Sequence, residues 1–374
     1  MKELQAILQA FEEAQHRCET SFLATVINTE GSTYRRPKAK MLMTDTGKIV
    51  GAISGGCLEN DVFEYTRQKM SSGKPIVVTY DTTADEDLVL GFGIGCNGVV
   101  EVLIEPLDVN NRLNPLNFIQ ECFCDRQRGI IATVFSVEGS LKVKLGERLI
   151  LAPEGKIDTD IKESNLLQAI AADAKAALRT QKSTINEYQL SPGKIKVFIE
   201  IIQPPMPLLI FGSGRDAVPV VNLAKNLGWH VTVVDCRANE ATRDRFHIAD
   251  RVIFTRRDIV DRQVHIDTDT VAVVMTHNYH DDLEIMKMLL PSSAKYIGVL
   301  GSKQRTARLL QELSWEDKQP EQLYFPIGID IGAETPEEIA LAIIAEIQAV
   351  LANRSSGFLK NRQEPIHQQI KLSY

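Results

Sequence analysis

The apolar run Leu208-Leu209-Ile210-Phe211 ends in Gly212-Ser213-Gly214-Arg215-Asp216-Ala217, and Val231-Thr232-Val233-Val234 then stops on Asp235. A strand, a Gly-x-Gly-x-x-Ala turn, a helical pattern and a second strand closing on an acid make a βαβ unit with the dinucleotide fingerprint. In that pattern Gly212 permits the tight turn and Gly214 lets backbone approach a pyrophosphate. Ala217 is small enough for close helix–strand packing, and Asp235 stands where a ribose hydroxyl would be held. The same residues also fit a doubly wound domain whose loop holds no nucleotide. The unit starts past the midpoint of a 374-residue chain, so a dehydrogenase reading has to account for a large region in front of it.

That region is separated by Gln203-Pro204-Pro205-Met206-Pro207, where three prolines in four residues can continue neither strand nor helix. Beyond it, the continuous apolar segments 208–211, 231–235, 251–254, 271–275 and 296–300 alternate with helical patterns. Such strands suit a parallel sheet covered on both faces. A last helix is expected with Thr335 as N-cap, Pro336 first and Glu338 closing a capping box, its stripe Ile339, Ile343, Ile347 and Val350 facing the sheet. In front of the prolines, strands are expected at 21–28, 76–80, 99–105 and 196–202, a hairpin at 41–44 and 48–53, and helices at 58–70 and 166–178. The segments 130–137, 141–145 and 148–151 read as a small antiparallel sheet, and 110–117 as a connector. The fold class is therefore α/β, with an N-terminal mixed α+β domain over 1–203, divisible into two subdomains near 107–128, and a C-terminal Rossmann-like doubly wound parallel sheet over 204–374.

A net charge of −7 argues against nucleic acid as a partner. No apolar run reaches membrane-spanning length, and the first helical pattern lacks a signal peptide's apolar core, so a cytoplasmic protein without a membrane partner is expected. Six cysteines without an export signal should be reduced thiols. Cys122 and Cys124 read as helix residues, because no second pair completes a zinc site.

Two cysteines stand apart. Cys57 follows Gly55 and Gly56 at the start of a helix, where unpaired N–H groups and the helix dipole would favour a thiolate; it fits equally a small buried hydrophobe at a strand–helix junction. Cys96, beside Gly95 among Gly91, Gly93 and Gly98, belongs to a loop that either folds around something or simply turns tightly. Together the two make a candidate soft-ligand, metal or sulfur-handling site. In the C-terminal half, His277 ends the fourth strand, where α/β sheets place ligands, and it also fits a surface histidine. Asp281 and Asp282 read as dipole-favoured acids of the next helix. Ser302 and Arg305, on another strand-to-helix turn of the same edge, suit a phosphate.

With these residues in place the chain resembles the XdhC/CoxI proteins, accessory factors of molybdenum hydroxylases such as xanthine dehydrogenase and carbon monoxide dehydrogenase. The resemblance rests on Ser54-Gly55-Gly56-Cys57-Leu58-Glu59, Gly93-Ile94-Gly95-Cys96-Asn97-Gly98, Gly212-Ser213-Gly214, Met275-Thr276-His277 and Tyr296-Ile297-Gly298-Val299-Leu300-Gly301. It continues in the long motif from Pro326 to Ala340. It implies a cofactor-insertion chaperone more than a catalyst. Such a protein holds the molybdenum cofactor (molybdopterin or its dinucleotide form) while a cysteine desulfurase supplies the sulfido ligand, and then passes it to an apo molybdenum hydroxylase. A homodimer is expected. Gly55, Gly56, Cys57, Gly95 and Cys96 would face the cofactor, with Cys57 and Cys96 toward the metal. Gly212, Gly214, Arg215, Asp235, His277, Ser302 and Arg305 would hold its phosphate or nucleotide tail. Arg215 departs from the histidine expected in many relatives and suits a phosphate at least as well. The competing reading is an NAD(P)-dependent oxidoreductase using His277 as acid–base. A third is a scaffold bridging desulfurase and target.

Overall fold

The computed structural model describes residues 1–69, 73–81, 98–237, 240–363 and 372–373. It forms two compact units. One is Glu3–Pro204 with the final short strand; the other begins at Pro205 and takes in Met1–Lys2.

The first unit opens with α1 (Lys2–His16), β1 (Ser21–Gly31), β2 (Lys40–Thr44), β3 (Ile49–Gly51), α2 (Glu59–Lys69), β4 (Ile76–Asp81) and β5 (Gly98–Leu107). Their strands form an antiparallel sheet in the order β3-β2-β1-β5-β4, with β2 and β3 paired Leu42↔Val50 across the expected hairpin. Then come α3 (Pro115–Cys124), β6 (Gly129–Glu138), β7 (Arg148–Leu151), β8 (Ile157–Thr159), α4 (Ser164–Thr180), β9 (Thr184–Leu190) and β10 (Gly193–Ile202). With the closing strand, Leu372–Ser373, they build a second sheet whose described core order is β9-β10-β6-β7-β8. The expected strand over 141–145 is absent, because β6 takes β7 as its antiparallel partner while Val143 is buried from a loop. The end of the expected connector is the start of a helix: the Asn114 side chain accepts from the N–H groups of Leu116 and Asn117, and Pro115 starts α3.

One apolar cluster gathers Phe11 of α1, Leu42 of β2, Ile119 of α3, Ile131 of β6 and Ile202 of β10. Each such side chain contributes about 1.5–3 kcal/mol on burial. Two buried ion pairs also join the sheets. Lys40 Nζ lies 2.7 Å from both Glu200 carboxylate oxygens, and Arg148 pairs with Glu105. All four are nearly inaccessible to water, so they hold each other in register rather than supplying bulk stability.

The second unit runs β11 (Pro207–Phe211), α5 (Ala217–Asn226), β12 (His230–Asp235), α6 (Glu240–Arg245), β13 (Arg251–Phe254), a 3-10 turn (Arg257–Arg262), β14 (Val271–Val274), α7 (Tyr279–Leu289), β15 (Tyr296–Val299), α8 (Lys303–Glu312), β16 (Leu323–Tyr324) and α9 (Pro336–Leu351). The strands are all parallel in the order β13-β12-β11-β14-β15-β16. That is the Rossmann order, whose reversal lies between β11 and β14. One face is covered by α5 and α9, with Ile343 and Ile347 fully buried, and the other by α7 and α8. The α9 capping box forms as expected. The Glu346 carboxylate accepts from Tyr296 Oη at 2.5 Å and from the Gly328 N–H at 3.0 Å, which fastens the Pro326–Ala340 motif to β15.

Candidate functional site

The residues singled out in the first unit lie on the turn between β3 and α2. Ser54 Oγ accepts from the backbone N–H groups of Gly56, Cys57 and Leu58, each at 3.1 Å, and donates to Glu59 Oε2 at 2.5 Å. Glu59 Oε1 in turn accepts from the N–H groups of Ile53 at 3.0 Å and Ser54 at 2.7 Å. Gly56 adopts φ +108°, a region that a side chain would strain. One hydroxyl and one carboxylate thus close the turn on itself. Burial alone would raise the Glu59 carboxyl, but its bonds from Ser54 and from backbone N–H groups outweigh this and hold it below its ordinary 4.5.

This geometry corrects one expectation. The helix starts two residues past Cys57, at Glu59, and the N–H groups of Gly56, Cys57 and Leu58 point at the Ser54 hydroxyl. Cys57 is half-buried and packs against the cluster of Ala24, Met41, Ile53 and Val62, as a small hydrophobe does. Gly55 lies beneath Tyr34, whose ring would be 3.4 Å from a Cβ there. Gly95 and Cys96, with the rest of their glycine loop up to Asn97, fall outside the described residues. The described chain resumes at Gly98, paired with Gly31 at the end of β1. A cavity of 480 Å³ opens over the Arg148–Glu105 pair elsewhere in this unit, but none of the singled-out residues lines it.

In the second unit the carboxyl edge of the parallel sheet gathers the other candidates. Gly212 has φ +129°, and a Cβ there would strike Met275 O at 2.3 Å, so the turn lies directly on the end of β14. Above Gly214 the space is already taken: a Cβ would stand 2.3 Å from Asp216 Oδ1. Asp216 makes no capping bond to α5; its Oδ2 lies 2.7 Å from His277 Nε2 instead. His277 itself sits in the left-handed region at φ 57°. Asp235 is buried and accepts from the Arg237 N–H at 2.9 Å, an Asx turn that fixes the end of β12.

Several arginines converge on the same edge. Arg237 Nη2 donates to Thr276 O at 3.1 Å, and Arg245 Nη1 donates to Ser213 O at 2.6 Å. Arg237 and Arg257 approach the Asp281 carboxylate at 3.6 and 3.1 Å. Arg305 pairs with Asp282 at 2.6 Å, and Thr276 Oγ1 donates to the same carboxylate at 2.5 Å. Burial pushes the Asp282 carboxyl up, against those two partners. The Ser302 hydroxyl caps α8 by accepting from the Arg305 N–H at 3.3 Å, and Arg215 is exposed beside the glycine turn. Asp281 and Asp282 therefore do more than complement a helix dipole: they are buried anchors that aim arginines from three other elements along one edge. Asp216, Arg237, Arg245 and Arg257 went unread in the sequence. Only Arg237, two residues beyond the strand-ending acid, carried a local signal.

Chemically, this edge can bind an anion by arginine and backbone donors, with a histidine–carboxylate pair at its glycine turn. Among the described residues no group of three His, Cys, Asp or Glu side chains is placed to hold a metal ion. Among them also, no helix is long and apolar enough to cross a membrane.

The family model of the XdhC Rossmann domain matches residues 208–347, and that of the XdhC and CoxI family matches 14–81 and 124–189. The chain is 32% identical over 346 residues to a Bacillus subtilis (strain 168) protein described as a probable xanthine dehydrogenase subunit, covering 92% of this chain and 95% of that protein. It is 22% identical over 351 residues to the molybdenum cofactor insertion chaperone PaoD of Escherichia coli (strain K12), covering 92% and 87%. The crystal structure of a Bacillus halodurans protein described as a xanthine dehydrogenase superposes with a TM-score of 0.77 at 32% identity, over 94% of this chain and 97% of that one.

Proposed function

The chain belongs to the XdhC and CoxI family, and on that premise we propose that it matures a molybdenum hydroxylase by holding the molybdenum cofactor, assisting its sulfuration and inserting it into the apo-enzyme. The observation that carries the reading is the arginine-lined carboxyl edge of the parallel sheet, beside the Gly212–Ala217 turn. A phosphate or nucleotide tail is the ligand for which such an edge is built. Gly212, Gly214, Arg215, Asp235, His277, Ser302 and Arg305 would receive it, joined by Arg237. The relative PaoD, named as a molybdenum cofactor insertion chaperone, supports the same reading.

The donor set fits a cargo that brings its own metal ligands. The described residues offer no three-ligand centre, whereas a dithiolene-bound molybdenum needs at most one further protein donor. Cys57, on a turn closed by Ser54 and Glu59, would supply a soft sulfur, with Gly55 and Gly56 beside it in the chain; Gly95 and Cys96 are proposed as cofactor contacts on the family resemblance alone. When bound, the cargo supplies the sulfido-molybdenum chemistry of the client; this chain's residues hold and release it. A cysteine desulfurase, the apo-hydroxylase and a second copy of the chain are the proposed partners.

The NAD(P) reading keeps one observation in its favour, the Asp216–His277 pair at the glycine turn, which is the arrangement of a carboxylate-oriented acid–base. Anaerobic purification of the wild type and Cys57→Ser separates the readings. Molybdenum and pterin fluorescence with the wild type, reduced in Cys57→Ser at unchanged melting temperature, support cofactor holding. Bound nicotinamide without pterin would support the oxidoreductase instead, and neither would leave a scaffold.

A further inference from the structure

We infer that Asp216 is a built-in anion covering the phosphate position of the Gly212–Ala217 turn, with His277 as its partner, so that a ligand's phosphate enters by displacing this carboxylate. The inference rests on reading the turn as the phosphate subsite.

The fingerprint needs Gly214 bare so that a pyrophosphate can touch backbone. Here that face is covered from within. Asp216 Oδ1 lies 2.3 Å from the Cβ position of Gly214, and His277 Cδ2 lies 3.8 Å from it. Asp216 makes no capping bond to α5, and its carboxylate is bonded to the side chain of the exposed His277. His277 is held on the opposite side by backbone: its left-handed φ of 57° follows Thr276, whose hydroxyl is bonded to Asp282 and whose carbonyl accepts from Arg237. The latch thus rests on the bond to His277 on the Asp216 side and on backbone on the His277 side.

Charge gives the direction of the effect. Around the pair stand Arg215 on the same turn, Arg245 from α6, Arg237 from the end of β12, Asp281 and Asp282 at the start of α7, and Arg305 from α8. Arg237, Arg257 and Arg305 are already engaged by Asp281 and Asp282, which leaves Arg215 and Arg245, the latter bonded to the neutral Ser213 carbonyl, to offset an arriving phosphate. While the Asp216 carboxylate stays over Gly214 it repels an arriving phosphate, so removing its charge should tighten binding.

The test is calorimetric titration of the full chain with ADP-ribose at one pH near neutrality. Asp216→Asn, which removes the charge, and Asp216→Ala, which also uncovers Gly214, should each bind about tenfold tighter than wild type. Wild-type binding that is unimproved in both variants would overturn the latch while leaving the subsite intact. No binding by any of the three proteins would overturn the subsite reading and the latch with it.

Discussion

Replacing Ser54 by alanine removes one oxygen and leaves three backbone donors facing it. Gly56 is exposed, so water replaces the hydroxyl there, but Leu58 is buried and Cys57 half-buried. The unsatisfied N–H of buried Leu58 costs about 1–3 kcal/mol, and loss of the hydrogen bond to the half-buried Cys57 N–H about 1 kcal/mol. The turn should therefore open about 2–4 kcal/mol more easily, which is an increase of roughly 30- to 1,000-fold in its open population. Tryptophan fluorescence is blind to this change, because Trp229 and Trp315 both belong to the other unit. Hydrogen–deuterium exchange of the peptide spanning Ile53–Val62 in the full chain reads it directly. Ser54→Thr keeps the hydroxyl and should remain close to wild type. If Ser54→Ala exchanges at Cys57 and Leu58 within about threefold of wild type, the hydroxyl does not hold the turn and the account of its closure fails.

Glu59 gives the same turn a pH signature. Its folded pKa lies below its ordinary 4.5, so its contribution is complete above that value and drains as pH falls through the lower folded one. The gap in urea midpoint between wild type and Glu59→Gln should accordingly narrow under acid conditions, and a widening gap would reverse the sign. Lys40→Met strands the buried Glu200 carboxylate and should cost about 3–5 kcal/mol in denaturant unfolding, while Lys40→Met with Glu200→Leu recovers most of it; an equally unstable double variant would contradict this. Burial pushes the Cys122 thiol up to about 12 and the Cys236 thiol up to about 11. Iodoacetamide should therefore reach Cys57 and the exposed Cys18 and Cys124 before either, and mass spectrometry showing Cys122 alkylated alongside Cys18 would refute that order.

The parallel sheet was legible because β11, β12, β14 and β15 are buried on both faces and so read as unbroken apolar runs. β16 escaped because Leu323–Tyr324 is too short to make a run, and β9 because Thr-Ile-Asn-Glu-Tyr-Gln-Leu mixes polar residues through a partly exposed strand. Asn114-Pro115 was a readable helix start hidden in an asparagine-rich stretch. The candidate edge was half legible. Gly212, Asp235 and Ser302 announce themselves by local spacing, since turns and caps are local. Asp281 and Asp282 do not, because their arginines come from 23 to 44 positions away and only the sheet order brings them together. The Ser54–Glu59 closure was visible as residues but not as geometry. Its hydroxyl takes the N–H groups of Gly56, Cys57 and Leu58, and where those groups point is decided by backbone direction.

The central claim is that this chain carries a cofactor to a client, and transfer tests it most directly. The chain is loaded anaerobically with sulfurated molybdenum cofactor, freed of unbound cofactor, and mixed with an apo molybdenum hydroxylase. Substrate turnover is then followed as molybdenum and pterin are counted on both proteins. The account predicts that both leave this chain and appear on the hydroxylase together with activity, and that free cofactor at the same concentration activates it less. Retention of the cofactor by this chain with no activation, or activation no better than free cofactor gives, would contradict it.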